Sequence, residues 1–181
     1  MEEVDHLHDP DHVRIIQGSA RAIREARKAG FIIVMVSNQS GVARGYFKEK
    51  DVEKVNERMH QLLGKAGGYI DGFYFCPHHL DGKIKEYKVA CDCRKPATGM
   101  LRKAVSDFGI DLSKSFMVGD KSIDIEMGKK AGIRTVLVRT GYGESELARN
   151  FVDPDFVADD LLEAVKWIRK SAAGKPKRKA N

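Results

Sequence analysis

The amino-acid sequence predicts one α/β domain with a mainly parallel sheet. Its 181 residues are enough for a single domain, and 42% of them are hydrophobic and 32% charged, as in an ordinary soluble protein. Short apolar runs alternate with segments of helical periodicity, a pattern typical of βαβ units. The run FIIVMV at 31–36 has no period-two alternation, which is typical of a strand covered on both faces of a parallel sheet.

The predicted elements alternate regularly along the chain. Besides 31–36, we predict strands at 69–75, 116–118, 135–138 and 156–158. Helices are predicted at 19–28, 51–63 and 98–108, from the end of the third strand to 131, and over a last segment with four apolar residues at helical spacing, Leu161, Leu162, Val165 and Ile168. We expect Ser19 to cap the first helix, and Gly30 and Gly109 to end the helices before them. The segment 140–143 is predicted as a turn.

Most of the net positive charge lies at the end of the chain. The formal charge is +6, but KSAAGKPKRKAN at 170–181 contains five cations and no acid, and without those five the charge is +1. We therefore predict a single domain over 1–170, followed by a solvated basic tail at 171–181. A nucleic-acid binder is not favoured, because the body carries little charge and shows no aromatic stacking surface.

Further features of the sequence concern the cellular location of the protein and a stretch that could be mistaken for a metal site. No apolar stretch approaches the length of a membrane span, and the first residues contain no apolar leader, so we expect a cytoplasmic protein without a membrane partner. Histidines and acids at 6–12 follow no ligand spacing, and Pro10 interrupts them. We predict that this stretch is a surface loop.

A phosphate site is predicted where the run at 31–36 ends. Ser37 and Asn38 begin a polar turn, SNQSG, just past the carboxyl end of the strand, where open α/β sheets bind ligands. Hydroxyl, amide and backbone N–H donors can surround an oxyanion there, and Arg44 adds a cation with fork geometry. An ordinary polar loop is the alternative interpretation.

Three cysteines and one histidine have the spacing of a metal site. Cys76 and His78 are separated by twelve residues from Cys91 and Cys93, and all three cysteines of the chain are in this set. Three thiolates and an imidazole complete a tetrahedral zinc shell without an open position, so the predicted site is structural. The polar loop between the two pairs has too few apolar residues to order itself, and Zn²⁺ would supply that order. His79 is the competing imidazole.

Cations and carboxylates follow the cysteines. Arg94 and Lys95 come directly after the last cysteine, and Lys95 is expected where a helix begins, which favours a phosphate contact. Downstream, Asp120 ends the predicted strand at 116–118, with Lys121 beside it and Asp124 four residues on. A carboxylate in that position suits Mg²⁺, which takes few protein oxygens. A helix cap is the alternative role for this aspartate.

Taken together, these motifs resemble the haloacid dehalogenase (HAD) superfamily of phosphohydrolases. Within it, the sequence is similar to the branch that contains the D-glycero-D-manno-heptose 1,7-bisphosphate 7-phosphatases and the histidinol-phosphate phosphatases. The matching segments follow in order over almost the whole chain: SNQSGVARGYF, CPHH with CDCRKP, GMLRKA, SFMVGDKSIDIEMGKKAG and TGYG. The resemblance implies a Rossmann-like three-layer sandwich with a mainly parallel sheet, a phosphoric monoester hydrolase, a catalytic Mg²⁺ and a structural Zn²⁺.

The resemblance also implies a role for each matching residue. Ser37 corresponds to the phosphate-binding hydroxyl, with Asn38 beside it, while Lys95 steadies the phosphoryl group and Arg94 contacts the sugar. The remaining matches are metal ligands and their neighbours: Asp120 for Mg²⁺ with Lys121 and Asp124 in support, and Cys76, His78, Cys91 and Cys93 for Zn²⁺.

The sequence departs from the family at its start. The family opens with a central strand ending in D-x-D-G, which supplies the nucleophile, the general acid and two Mg²⁺ ligands, and no D-x-D-G follows a strand here. The resemblance thus implies that the first central strand is missing, so its neighbours at 31–36 and 116–118 keep unpaired backbone at about 1 to 3 kcal/mol per group. We expect the 181-residue chain to be inactive, and either to be truncated or to have its gap filled by something else.

Two classes of function remain open on the sequence. The first is a phosphatase of a small phosphorylated sugar, favoured over histidinol phosphate because Arg44, Arg94 and Lys95 supply several cations for two phosphates. The second is a noncatalytic, zinc-stapled fragment that binds phosphorylated sugars or a partner strand. We expect a monomer for a full-length protein and strand-completing self-association for a truncated one.

Overall fold

The computed structural model describes residues 7–149 and 153–173, and its elements follow the predicted order. The strands are β1 (Val34–Asn38), β2 (Gly72–Cys76), β3 (Phe116–Gly119), β4 (Arg134–Val138) and β5 (Phe156–Ala158). The helices are α1 (Ser19–Lys28), α2 (Ser40–Arg44), α3 (Glu49–Lys65), α4 (Gly99–Phe108), α5 (Ser122–Lys130), α6 (Gly143–Ala148) and α7 (Leu161–Ala173). Most of the predicted basic tail, 174–181, lies outside the described residues.

Every strand pair among the described residues is parallel, as the sequence predicts. β1 pairs with β2 in a register that runs from Val34 opposite Gly72 to Asn38 opposite Cys76. β4 lies between β3 and β5 in a separate three-stranded sheet. The described chain therefore contains two parallel sheets.

Helices cover both faces of the two sheets. On one face, α1 and α7 pack together, and Ala26 and Val165 form an apolar cluster with Ile33 beside β1. On the other face, Leu101 of α4 and Met127 of α5 pack with Met117, and Val36 of β1 joins them. The predicted three-layer α/β sandwich is confirmed. No helix in the described ranges is long and apolar enough to cross a membrane.

An open seam separates β1 from β3. In the described part of the chain no strand lies between them, and the two sheets are joined only through helices and loops. All five residues of β1 are partly exposed, whereas four of the five residues of β4 are buried. The sequence predicts a strand covered on both faces at β1; the covering helices are present, but the open edge exposes the strand.

Several boundaries differ from the prediction for local reasons. β1 begins at Val34 instead of Phe31 and extends through the polar Ser37 and Asn38, because pairing with β2 continues to that point. β2 begins only at Gly72 because the preceding Asp71 side chain accepts the Ile33 N–H at 2.8 Å. The short helices α2 and α6 are not predicted from the sequence.

The predicted helix ends are partly wrong. Gly18, with φ of 86°, is the residue that caps α1, and Ser19 is already inside the helix and makes no capping bond. Gly109 does end α4, in the left-handed region with φ of 63°, where a side chain would be strained. The glycine therefore has the conformational role that the sequence assigns to it.

Candidate active site

The polar turn after β1 lies at the carboxyl edge of its sheet, as predicted. Ser37 and Asn38 are the last residues of β1, and the Gln39 N–H donates to the Cys76 carbonyl at the end of β2, at 2.7 Å. Gln39 Nε2 donates to Ser37 Oγ at 3.3 Å, so the Ser37 O–H remains able to donate to a ligand. The turn thus presents a hydroxyl at the position predicted for phosphate.

Asn38 connects this turn to the segment after the cysteines. Its Oδ1 accepts the Lys95 N–H at 2.9 Å, and its Nδ2 donates to the Lys95 carbonyl at 3.1 Å. Both backbone groups of Lys95 are therefore held by one amide side chain, 57 residues away in the sequence. This amide pair brings two sequence motifs to one place.

The Lys95 side chain lies between β1 and the residues that follow β3, at the carboxyl end of the seam. Its Nζ donates to the Val36 carbonyl at 3.0 Å and to Asp124 Oδ1 at 2.7 Å, and both side chains of the ion pair are nearly buried, at 12% and 7% exposure. The sequence predicts that Lys95 begins a helix, which is wrong: α4 begins at Gly99. The position of this lysine comes from Asn38 and Asp124 and not from a helix N-terminus.

Asp120 lies just past the carboxyl end of β3. Its Oδ2 accepts the Tyr142 N–H at 3.1 Å. The sequence left open whether this aspartate caps a helix. Helix α5 begins after Lys121, and the Lys121 N–H donates to Asp124 Oδ2 at 3.2 Å. Asp124 is therefore the capping carboxylate of α5, and Asp120 does not cap this helix. A Cβ at Gly119 would overlap the Asp124 side chain, so this close approach requires glycine.

Two residues after β4 lie beside these aspartates: Tyr142, which is in the matching TGYG segment but was given no role from the sequence, and Glu146, which was not singled out. The Tyr142 ring lies 3.7 Å below Lys121 Nζ, which places a cation beside the aspartates. Glu146 Oε2 accepts the Ser122 N–H at 2.8 Å at the start of α5, and hydrogen bonds from Ser122 lower the pKa of this carboxyl. For Glu146 the only sequence signal is that it follows the carboxyl end of another parallel strand.

The predicted zinc ligands come together. Within this group, Cys93 Sγ lies 3.1 Å from Cys76 Sγ and 3.3 Å from His78 Nδ1, and Cys91 Sγ lies 3.6 Å from Cys76 Sγ. The four ligand atoms all lie within 4.8 Å of one another. Tetrahedral Zn–S bonds of about 2.3 Å imply sulfur separations of about 3.7 Å, so the donor set fits Zn²⁺. Burial raises the pKa of the Cys76 and Cys93 thiols.

The competing imidazole lies outside this cluster. His79 Nδ1 accepts the Asp81 N–H at 3.1 Å, which orients this ring within the loop. Burial lowers the pKa of His79, and the charges of Arg94 and Arg44 lower it further. Both predicted substrate cations thus lie near this histidine, and in the described ranges neither forms an ion pair with a carboxylate.

The cysteine loop is also joined to the phosphate turn. Arg94 Nη1 donates to the His78 carbonyl at 3.2 Å. On the opposite side, the Ala43 carbonyl in α2 accepts the N–H groups of Lys83 and Ile84, at 2.7 and 2.9 Å. The loop therefore extends from the four ligand side chains to the helix that follows Ser37 and Asn38.

Comparison with known proteins gives close relatives over almost the whole chain. D-glycero-beta-D-manno-heptose-1,7-bisphosphate 7-phosphatase of Haemophilus influenzae is 43% identical over 169 residues, which are 91% of this chain and 90% of the relative. The enzyme of the same name from Escherichia coli K12 is 42% identical over 170 residues, 92% of this chain and 88% of the relative. A family model described as HAD-hydrolase-like matches residues 92–164.

Solved structures give the same result. A D,D-heptose 1,7-bisphosphate phosphatase from B. bronchiseptica, complexed with magnesium and phosphate, has a TM-score of 0.82 and 31% identity, covering 94% of this chain and 93% of that one. A second phosphatase of this name, from Burkholderia thailandensis, has a TM-score of 0.66 and 28% identity, covering 90% and 92%.

The α/β fold, with a serine hydroxyl, a lysine and aspartates at the carboxyl ends of its parallel strands, is that of a phosphohydrolase. The comparisons give the particular family: the chain belongs to the HAD-like hydrolases, among the phosphatases that cleave phosphoric monoesters. The resemblance inferred from the sequence is therefore confirmed. The individual roles of the site residues remain predictions.

Proposed function

We propose that this protein is a Mg²⁺-dependent phosphatase of phosphorylated sugars, with D-glycero-D-manno-heptose 1,7-bisphosphate as its substrate. The observation that carries the proposal is that Asn38, next to Ser37, bonds to both backbone groups of Lys95, and that Lys95 bonds to Asp124, four residues after Asp120. A hydroxyl, an ammonium and a carboxylate at one sheet edge are what a phosphoryl group and its metal need. The names of the relatives support the choice of substrate.

Each residue has a defined task in binding the phosphoryl group. The Ser37 O–H donates to one phosphoryl oxygen, and Lys95 neutralises charge on a second while Asp124 and the Val36 carbonyl hold its Nζ in place. Lys121 lies beside the same edge above the Tyr142 ring. Positioning together with electrostatic stabilisation supplies most of the catalysis in phosphoryl transfer.

Asp120 is the proposed magnesium ligand. One of its oxygens accepts the Tyr142 N–H, which fixes the carboxylate and leaves the other oxygen for a cation. Bound Mg²⁺ would neutralise charge that develops on the phosphoryl oxygens. Asp124 is not a ligand in this scheme, because both its oxygens are occupied by Lys95 and the Lys121 N–H.

The described residues bind a phosphoryl group but supply no attacking carboxylate. In this scheme Asp120 binds the metal, Asp124 holds the lysine, and Glu146 accepts the Ser122 N–H at the start of α5. We therefore propose that the 181-residue chain by itself does not hydrolyse phosphate esters. Magnesium-dependent release of phosphate by the purified chain, abolished by Asp120→Asn, would show that another residue attacks.

The choice of substrate depends on the second phosphate. Arg44 and Arg94 lie near His79 without carboxylate partners in the described chain, so they are available for a second anionic group. Histidinol phosphate has a single phosphate and a cationic amine that these side chains would repel. A ligand with two phosphates is therefore favoured.

Calorimetric binding in Mg²⁺ buffer tests this proposal on the chain itself. We expect the heptose bisphosphate to bind at least about tenfold more tightly than histidinol phosphate, and Arg94→Gln to remove that preference. Lys85→Gln is the matched control, an exposed cation of the same loop, and should bind as the parent does. Equal affinity for the two compounds, or a preference for histidinol phosphate, would overturn the substrate assignment.

We also propose that one structural Zn²⁺ is held by Cys76, His78, Cys91 and Cys93. With four protein ligands there is no open position, so this metal orders the cysteine loop and takes no part in hydrolysis. Metal analysis should give about one zinc per chain, and Cys91→Ser should lose it and lower the melting temperature. His79→Ala should keep the zinc; full zinc content in Cys91→Ser would disprove this ligand set.

A further inference from the structure

The segment between the cysteine loop and α4 contains two of the predicted site cations and is closed by its own backbone. The Gly99 N–H donates to the Asp92 carbonyl at 2.7 Å. Inside this bridge, the Ala97 N–H donates to the Arg94 carbonyl at 2.8 Å. We call the contact between Asp92 and Gly99 the neck of this loop.

The neck has no room for a side chain at Gly99. A Cβ there would lie 2.5 Å from the Asp92 carbonyl oxygen, 2.8 Å from the carbonyl carbon and 2.9 Å from Oδ1 of the same residue. Two of these atoms belong to the backbone, so the overlap is not relieved by turning one side chain away. Asp92 lies between Cys91 and Cys93, whose side chains belong to the four-ligand cluster, so this side of the neck is the more firmly held. A side chain at position 99 would therefore displace residues 94–98.

A side-chain bridge crosses the same neck on its solvent side. Arg102 of α4 donates through Nη2 to the Asp92 carboxylate, and through Nη1 to Thr98 Oγ1 at 2.8 Å. Both members of the Arg102 and Asp92 pair are more than half exposed, and exposed ion pairs contribute little to stability. The backbone bond and the glycine are therefore the main closure of the neck, and Arg102 supports it.

The two cations of the loop depend on the neck to different extents. Lys95 is held from outside the loop, because Asn38 bonds to both of its backbone groups and Asp124 accepts from its Nζ. Among the described residues, the Arg94 side chain has a single hydrogen bond, to the His78 carbonyl at 3.2 Å. A displacement of the loop should therefore move Arg94 and leave Lys95 in place.

We propose that Gly99 is a positioning residue for substrate selectivity, because the neck sets where Arg94 meets the second anionic group of the substrate. The inference rests on the proposed function, which assigns Arg94 to that group. It separates two tasks within one loop: Lys95 serves the phosphoryl group beside Ser37, and Arg94 serves the rest of the substrate. Gly99 contacts no substrate and acts only through the loop.

Calorimetric binding by Gly99→Ala in Mg²⁺ buffer tests the proposal. We expect the affinity for heptose bisphosphate to fall at least about fivefold, and the affinity for inorganic phosphate, which needs only the Ser37 and Lys95 contacts, to change less than about twofold. General damage to the fold would lower both affinities. Gly64→Ala is the matched control, since a Cβ there meets no neighbouring atom of the described chain within 4 Å, and it should bind both compounds as the parent does.

Amide exchange gives a second measurement, which needs no substrate. The Ala97 N–H, bonded to the Arg94 carbonyl, should exchange at least about tenfold faster in Gly99→Ala, with the metal content of the parent retained. The Lys95 N–H, held by Asn38, should keep its rate. Unchanged exchange at Ala97, or loss of metal, would overturn the role of the neck, and faster exchange at Lys95 as well would overturn the separation of tasks.

Arg102→Gln loosens the same neck from its solvent side and decides the matter if Gly99→Ala does not fold. It should lower the bisphosphate affinity about twofold without changing phosphate binding, whereas Lys103→Gln, whose pair with Asp107 lies on the same helix, should change neither. Equal losses for the two compounds, or an unchanged bisphosphate affinity, would overturn the proposal. If the parent binds neither compound, the proposed function fails, and the amide exchange still decides the role of the neck.

Discussion

β1 and β4 are parallel strands from similarly apolar stretches of sequence, yet their burial differs. β4 has a strand on each side, and Thr135, Val136 and Leu137 are fully buried. β1 is paired on one side only, and none of its residues is buried. Helices cover both strands, so the difference shows that lateral neighbours, as well as the layers above and below, complete the burial of a parallel strand.

The same difference separates two halves of the molecule. The β3–β5 half has a continuous sheet with an apolar cluster against α7. The β1–β2 half has an apolar cluster with α1 and α3, and its carboxyl edge adds side-chain contacts, namely the four metal-ligand side chains and the Asn38 and Lys95 pairing. The following predictions test how strongly the two halves depend on these contacts.

The largest effect is expected from Lys95→Met, which breaks the ion pair that joins the halves. Asp124 would be left nearly buried without its cation, and the loss of one member of such a pair costs about 3 to 5 kcal/mol. Urea unfolding should show this loss of stability. Lys103→Met is the matched control, since its pair with Asp107 is exposed and should contribute less than about 1 kcal/mol. Equal losses in both variants would contradict the role of the Lys95 pair.

A smaller difference in stability is expected between alanine variants of the two sheets. Leu137→Ala in β4 removes a fully buried side chain and should cost about 2 to 5 kcal/mol. Met35→Ala in β1 should cost less than half of that, because the side chain is partly exposed and the open edge lets its surroundings relax. Similar losses in the two variants would mean that β1 is as completely packed as β4.

The smallest effect is expected at Glu146, and it depends on pH. Hydrogen bonds from Ser122 lower the pKa of this carboxyl below the ordinary value of 4.5, so they stabilise the fold above that pH and the contribution is lost as the pH falls through the lowered pKa. Glu146→Gln should therefore cost about 1 kcal/mol at neutral pH, and the two proteins should converge in acid. The control is Glu144→Gln, whose pair with Arg139 is exposed. A difference that persists unchanged at low pH would rule out this account.

The features that the sequence predicts best are those with strong local signals. Apolar runs located all five strands, and the spacing of Cys76, His78, Cys91 and Cys93 identified a cluster that the structure assembles. The resemblance gives the family a further central strand between 31–36 and 116–118, and in the described residues the open seam lies between these two strands.

The features it missed depend on contacts between distant segments. The placement of Lys95 is set by Asn38 and Asp124, and no local pattern near Lys95 contains that information. Tyr142 donates its backbone N–H to Asp120, and its ring contacts Lys121. A tyrosine in a turn does not make these contacts by virtue of its local sequence alone. The short helix α2 begins at Ser40 directly after a strand, and five residues give too little periodicity to reveal it.

The amide pair between Asn38 and Lys95 has a consequence for the variation that this position can tolerate. A side chain at 38 must offer one donor and one acceptor at a fixed distance from β1, because it bonds to both the N–H and the carbonyl of Lys95. Aspartate lacks the donor, leucine lacks both groups, and glutamine carries the amide one methylene too far. A library that samples all amino acids at this position and selects for the folded protein should return asparagine almost exclusively.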